Sequence, residues 1–252
     1  MERPLCIVAF VQVERIGSGP RVVLVHGSVT GPETWSRQRP LAERWTLELV
    51  TRPGFWPLEP VERVDFAADA PLVAEQLGDG AHLVGHSYGG VISLLAGSLR
   101  PGAVRSLTVV EPPALDVARG DAAVDAMIGR IEDLWSGEPP EARHFLEEFL
   151  RTVGSSVPMP DELPPPLQRG AEMLLVERGV HEARIPLTAL RRAGFPVLVV
   201  SGAHSRAFDA VCDVLERELA AEREVLPGAG HAAQRAPGFN VVLEDFLARA
   251  EA

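Results

Sequence analysis

Short apolar runs rich in Val and Leu, each closed by Gly, Pro or His, punctuate the first hundred residues. They are Cys6–Val13, Val22–Val25 leading into His26-Gly27, Thr46–Val50 leading into Arg52-Pro53-Gly54, and His82–Val84 leading into Gly85-His86-Ser87. Runs this short with little polar alternation predict strands buried on both faces. Between and after them, Phe66–Leu77 and Val91–Leu99 carry apolar residues at helical spacing, so strands and helices alternate and the pattern predicts a parallel sheet. A further strand, Ser106–Val110, ends at Glu111-Pro112-Pro113, where two prolines stop both ladder pairing and helix.

The periodicity then changes. Val124–Leu134, Glu141–Val153, Leu167–Arg178 and Pro186–Arg192 repeat apolar residues at helical spacing, and proline-rich Val157–Pro166 reads as a stiff extended connector among them. The strand-and-helix pattern resumes with Pro196–Ser201, a helix over Phe208–Glu218, a strand at Glu224–Leu226 and a closing helix over Phe239–Arg249. The expected organisation is an α/β core over 1–111 and 195–252, interrupted by a helical cap over 112–194.

Composition narrows the chemistry. At 252 residues and 46% apolar content the chain has the length and composition of one ordinary globular domain carrying an insertion. A net charge of −11 disfavours nucleic acid and anionic membrane surfaces as partners. All 24 basic residues are Arg. Without Lys there is no Schiff base, no pyridoxal phosphate anchor and no P-loop lysine. The two cysteines, Cys6 and Cys212, stand far apart, and no C-x-x-C occurs, which fits a reducing compartment. Leu5–Val11 is too short for a leader or a membrane span, which needs about 20 apolar residues. The expected location is the cytoplasm.

Gly85-His86-Ser87-Tyr88-Gly89 fits G-x-S-x-G between a buried strand and a helix. A strand turning sharply into a helix strains its corner residue, and the two glycines let neighbouring backbone pass without a Cβ clash. The Ser87 hydroxyl would then stand at the carboxyl edge of the sheet, with the helix N-terminus aimed at any oxyanion formed there. His26-Gly27-Ser28 closes an earlier strand, so the amides of Ser28 and Tyr88 are the expected oxyanion donors, with His26 bracing its loop. A serine needs a base. Of the seven histidines, His231 is best placed, at the end of the glycine-rich Leu226–His231 loop, with His204 an outside candidate.

These features resemble the α/β-hydrolase fold family over almost the whole chain: His26-Gly27, the Gly85–Gly90 elbow, a helical cap, Gly228-Ala-Gly-His231, and Ser before His in chain order. Many members place the triad acid as an Asp three residues after the Gly that ends the family's seventh strand. Here Gly202-Ala-His-Ser205 puts Ser205 there, and a serine carries no charge with which to hold an imidazolium. Some members place the acid after the family's sixth strand instead, and in lactone hydrolases that open zearalenone it is a Glu. The 24-position step from Ser87 to Glu111 is similar to theirs. Glu111 is the expected acid and Asp209 its rival.

The resemblance implies a Ser-His-Glu hydrolase that cleaves an ester or lactone of a hydrophobic small molecule through an acyl-enzyme, with no cofactor and no metal. Trp135 and Met159 are the expected pocket walls. A homodimer is compatible with the sequence. A carbon–carbon bond hydrolase or cofactor-free tailoring enzyme, and a non-catalytic ligand-binding protein of the same fold, remain alternatives.

Overall fold

The computed structural model describes residues 10–136, 141–155 and 159–252. Among the described residues, seven strands form one sheet: β1 (Gln12–Ile16), β2 (Arg21–Val25), β3 (Thr46–Thr51), β4 (Ala81–His86), β5 (Val104–Val110), β6 (Val197–Ser201) and β7 (Glu222–Val225). Their order is β1-β3-β2-β4-β5-β6-β7, with β1 antiparallel to β3 and the remaining pairings parallel. The first strand expected from sequence overlaps β1 only at its end; Cys6 and its neighbours lie outside the described residues.

Among the described residues, eight α-helices accompany the sheet: α1 (Phe66–Gln76), α2 (Tyr88–Leu99), α3 (Ala122–Trp135), α4 (Ala142–Thr152), α5 (Pro165–Leu175), α6 (Leu187–Ala193), α7 (Arg206–Leu219) and α8 (Phe239–Ala250). The two-residue period of the strands sorts their side chains onto two faces. Val23, Val25, Leu83 and Val109 pack with Val73 of α1, Ile92 of α2 and Val211 of α7. Their sequence neighbours Val22, Leu24, Val84 and Val110 pack with Trp35 and with Phe239 and Leu243 of α8. Each such burial is worth about 1.5–3 kcal/mol. Because both faces are covered, the central strands show no polar alternation.

Between β5 and β6, α3 starts on an Asp121 side chain that accepts from the amides of Ala123 and Val124. Val29, in the loop after β2, shares an apolar cluster with Phe145 and Leu146 of α4 and Leu174 of α5, which seats these helices over that loop. Two local expectations are corrected. Of the proline connector expected over 157–166, Val157 and Pro158 lie outside the described residues, and it ends before Pro165 because Pro165 and Pro166 open α5, where a missing N–H costs nothing. And α5 stops at Leu175 rather than Arg178, because the Val64 amide donates to Val176 O and the Arg178 amide donates to Val64 O, which draws this segment into a bridge. Among the described residues, no helix is long and apolar enough to cross a membrane.

Candidate active site

Ser87 stands between β4 and α2 with φ 53° and ψ −125°, a conformation costing a non-glycine residue roughly 1–3 kcal/mol. The turn is held by the Ser87 amide, which donates to Val110 O at 2.9 Å. It is also sterically closed: a Cβ on Gly85 would stand 2.3 Å from Gly89 O, and one on Gly89 2.4 Å from the carbonyls of Val25 and His26. Only glycine permits the backbone crossing that lifts Ser87. Its Oγ donates to His231 Nε2 at 2.9 Å, across 144 positions of sequence. His231 lies in the turn Gly230–Arg235 after β7. Its backbone carbonyl accepts from His86 Nε2 at 2.9 Å. Burial pushes the His86 imidazole down to about 3, so it stays a neutral donor bracing His231.

Glu111 follows β5, fully buried, with φ 49°. Its Oε1 accepts from the Gly202 amide. Its Oε2 faces two imidazole nitrogens, His231 Nδ1 at 3.6 Å and His204 Nδ1 at 3.4 Å. Burial alone would raise this carboxyl, but the two imidazoles and the Gly202 amide outweigh it and hold it at about 2. The second histidine also donates from Nε2 to Val153 O at 3.0 Å, at the end of α4. Asp209 is turned elsewhere: it accepts from Ser201 Oγ at 3.4 Å and faces Arg223 at 3.8 Å.

Facing the elbow is the loop after β2. His26 donates from Nδ1 to Gly27 O at 2.8 Å and accepts the Arg52 amide on Nε2 at 3.1 Å, which fixes its tautomer. Burial lowers its pKa well below the usual value, so it is a neutral strut. The buried Arg52 guanidinium pairs with Asp69 at 2.9 Å, donates to Gly27 O, and stacks on the Phe55 and Tyr88 rings. A Cβ on Gly27 would meet Ser87 Cβ at 2.9 Å, so this loop lies directly against the serine. Among the described residues, neither the Ser28 nor the Tyr88 amide has an intramolecular acceptor. The Tyr88 phenol points away, accepting from the Phe66 amide and donating to Arg178 O, so only its backbone is available to a ligand at Ser87.

Two cavities open on Ser87. One is walled by Met127, Ile131, Trp135 and Phe149. The other is walled by Phe149, Leu150 and Met159 and is also lined by His231. Trp135 and Met159 therefore line different cavities beside the serine. Sequence reasoning missed Glu177, a lining residue of the first cavity whose Oε1 accepts from Ser28 Oγ at 2.5 Å. Inside a predicted helix it read as one more polar position; the bridge to Val64 that turns it inward has no local signature.

Glu111, His204 and His231 also form the one group of His, Cys, Asp or Glu side chains among the described residues whose ligand atoms, within 4.8 Å of one another, could take a metal ion. A cation there would occupy the His231 nitrogen that faces Glu111, displacing the proton a base toward Ser87 must hold on that side.

A strained serine elbow, an imidazole from the far end of the chain and a seven-stranded, mostly parallel sheet define one class of protein. The chain belongs to the alpha/beta hydrolase family, whose family model matches residues 22–242. It is 31% identical to a pimeloyl-[acyl-carrier protein] methyl ester esterase of Methylococcus capsulatus, over 64% of this chain and 70% of that protein. Further bacterial proteins of that name are matched over 39–52% of their length. A 2-(acetamidomethylene)succinate hydrolase of Mesorhizobium japonicum is 29% identical over 87% of this chain and 84% of that protein. In fold, the chain is similar to a solved bacterial membrane phospholipase A, with a TM-score of 0.72 at 23% identity, over 96% of this chain and 83% of that one.

Proposed function

We propose that the protein is a serine hydrolase that cleaves carboxylic esters or lactones of small, largely apolar molecules. The observation that carries this reading is the 2.9 Å hydrogen bond from Ser87 Oγ to His231 Nε2 at a strained elbow. The kinship to proteins named as ester hydrolases favours esters over other bonds.

In the proposed cycle His231 Nε2 takes the Ser87 proton as Oγ attacks the carbonyl carbon. The amides of Ser28 and Tyr88 hold the tetrahedral oxyanion, worth about 3 kcal/mol per donor in comparable sites. His231 then gives that proton to the departing alcohol oxygen, leaving an acyl-serine. A water, deprotonated by the same imidazole, attacks the acyl carbon, and the proton returns to Ser87 as the acid leaves. Glu111, its carboxyl held well below the usual range, faces the Nδ1 side of His231 and stabilises its cation. Residues 112–194 act as the cap, and Trp135 and Met159 as walls for the two ends of the substrate. The Ser205 substitution, the Asp209 contacts and the Glu111 geometry together support an acid after β5, as in the zearalenone-type lactone hydrolases.

The test is hydrolysis of p-nitrophenyl butyrate and of a panel of lactones by the protein and by Ser87→Ala. The expected result is turnover that falls roughly 10⁴-fold or more in the variant. Equal rates in both proteins contradict the reading.

A further inference from the structure

The cavity beside Ser87 is mostly apolar, yet it carries a carboxyl that the hydrolytic cycle does not use. Glu177 is 6% exposed. Its backbone is pinned by hydrogen bonds of Val176 and Arg178 to Val64, so the side chain is set into the cavity wall by a fixed element. One oxygen is satisfied by Ser28 Oγ, whereas Oε2 is buried with no donor among the described residues. Leaving such an oxygen unpaired costs about 1–3 kcal/mol, a cost that a ligand donor would remove. Trp135 lines the same cavity, and its buried indole N–H likewise has no acceptor among the described residues.

We propose that Glu177 Oε2 is a specificity site that accepts a hydrogen bond from a hydroxyl or amide N–H on the acyl part of the substrate, near the scissile carbonyl. The inference rests on Ser87 being the nucleophile. Nearness to the carbonyl follows from Ser28: its hydroxyl holds Glu177 while its amide faces the oxyanion position. A neutral donor is favoured over an ammonium, because the buried Arg52 guanidinium acts on the same carboxyl and would repel a second cation. A hydroxyl or amide also offers an acceptor for the Trp135 N–H, which an ammonium lacks. Sites built to hydrogen-bond a substrate group reject analogues lacking it far more strongly than apolar pockets discriminate by size.

The test compares kcat/KM for the p-nitrophenyl esters of butyric, 3-hydroxybutyric and 3-acetamidopropionic acids, each corrected for its uncatalysed rate. The expected result is a preference of at least about tenfold, or 1.4 kcal/mol, for one polar ester over butyrate. That ratio should fall to about one in Glu177→Met, and the preferred ester tells hydroxyl from amide. A wild-type ratio near one, or a ratio retained in Glu177→Met, overturns the proposal. If Glu177→Met does not fold, dissociation constants of the three esters for Ser87→Ala carry the same test: about tenfold tighter binding of a polar ester supports it, and equal binding refutes it. Failure of the hydrolase reading looks different, as absence of butyrate turnover, with the binding ratio still measurable.

Discussion

Two buried glutamates flank Ser87, and their surroundings push them in opposite directions. Glu111 is met by two imidazoles and a backbone amide, and they hold its carboxyl near 2 in spite of burial. Glu177 is met by a single serine hydroxyl, and burial, opposed only in part by Arg52 and Ser28, raises it to about 7. Residue type and burial are shared, and each carboxyl has one hydrogen-bonded oxygen; what differs is that the other oxygen of Glu111 faces two imidazoles. The pair shows how two carboxyls buried beside one serine are pushed in opposite directions by the groups they meet.

The largest expected break in this comparison is Glu111→Gln. An amide leaves the shape intact but cannot hold the imidazolium, so kcat on an ester should fall roughly 10³–10⁴-fold, measured under saturating substrate. Next comes stability against pH. Glu111 has its folded pKa below the ordinary 4.5, so it contributes stability that is present above about pH 4.5 and lost as pH falls toward 2. Glu177 has its folded pKa above 4.5, so the native state holds the extra proton and stability falls as pH rises from 4.5 to 7. Each swing is worth about 3 kcal/mol. Thermal melts at stepped pH should therefore show wild type gaining on Glu111→Gln between pH 2 and 4.5, and losing to Glu177→Gln between pH 4.5 and 7. Swings of the same sign would mean that the two environments do not differ as described.

Smaller effects sharpen the acid's assignment. His204→Phe removes one imidazole facing Glu111 but leaves Gly202 and His231, so kcat should drop only about fivefold, or roughly 1 kcal/mol. A loss as deep as that of Glu111→Gln would make His204, not His231, the acid's working partner. Asp209→Asn should change kcat less than about twofold, since its contacts are Ser201 and Arg223.

Strands buried on both faces, such as β4, and the long amphipathic α7 were legible because burial writes a run or a period into the chain itself. So was the elbow, since Gly85 and Gly89 are demanded by atoms only a few residues away or on the adjoining strand. That Glu111 faces His231 was anticipated from the serine at 205, the strand end it follows and its 24-position step from Ser87. What stayed hidden depends on contacts between distant segments: the bridge of Val64 to Glu177, the Arg52–Asp69 pair beneath the His26 loop, and the place of His204 on Glu111. None of these leaves a local pattern, because each side chain is ordinary where it stands in sequence and unusual only in what it meets.

The most direct test of the central claim is mass mapping of the adduct formed with a fluorophosphonate, run alongside His231→Ala. A single adduct on Ser87, formed at least about 10³-fold more slowly in the variant, is the expected result. An intact protein that stays unlabelled, or an adduct on another residue, would contradict it.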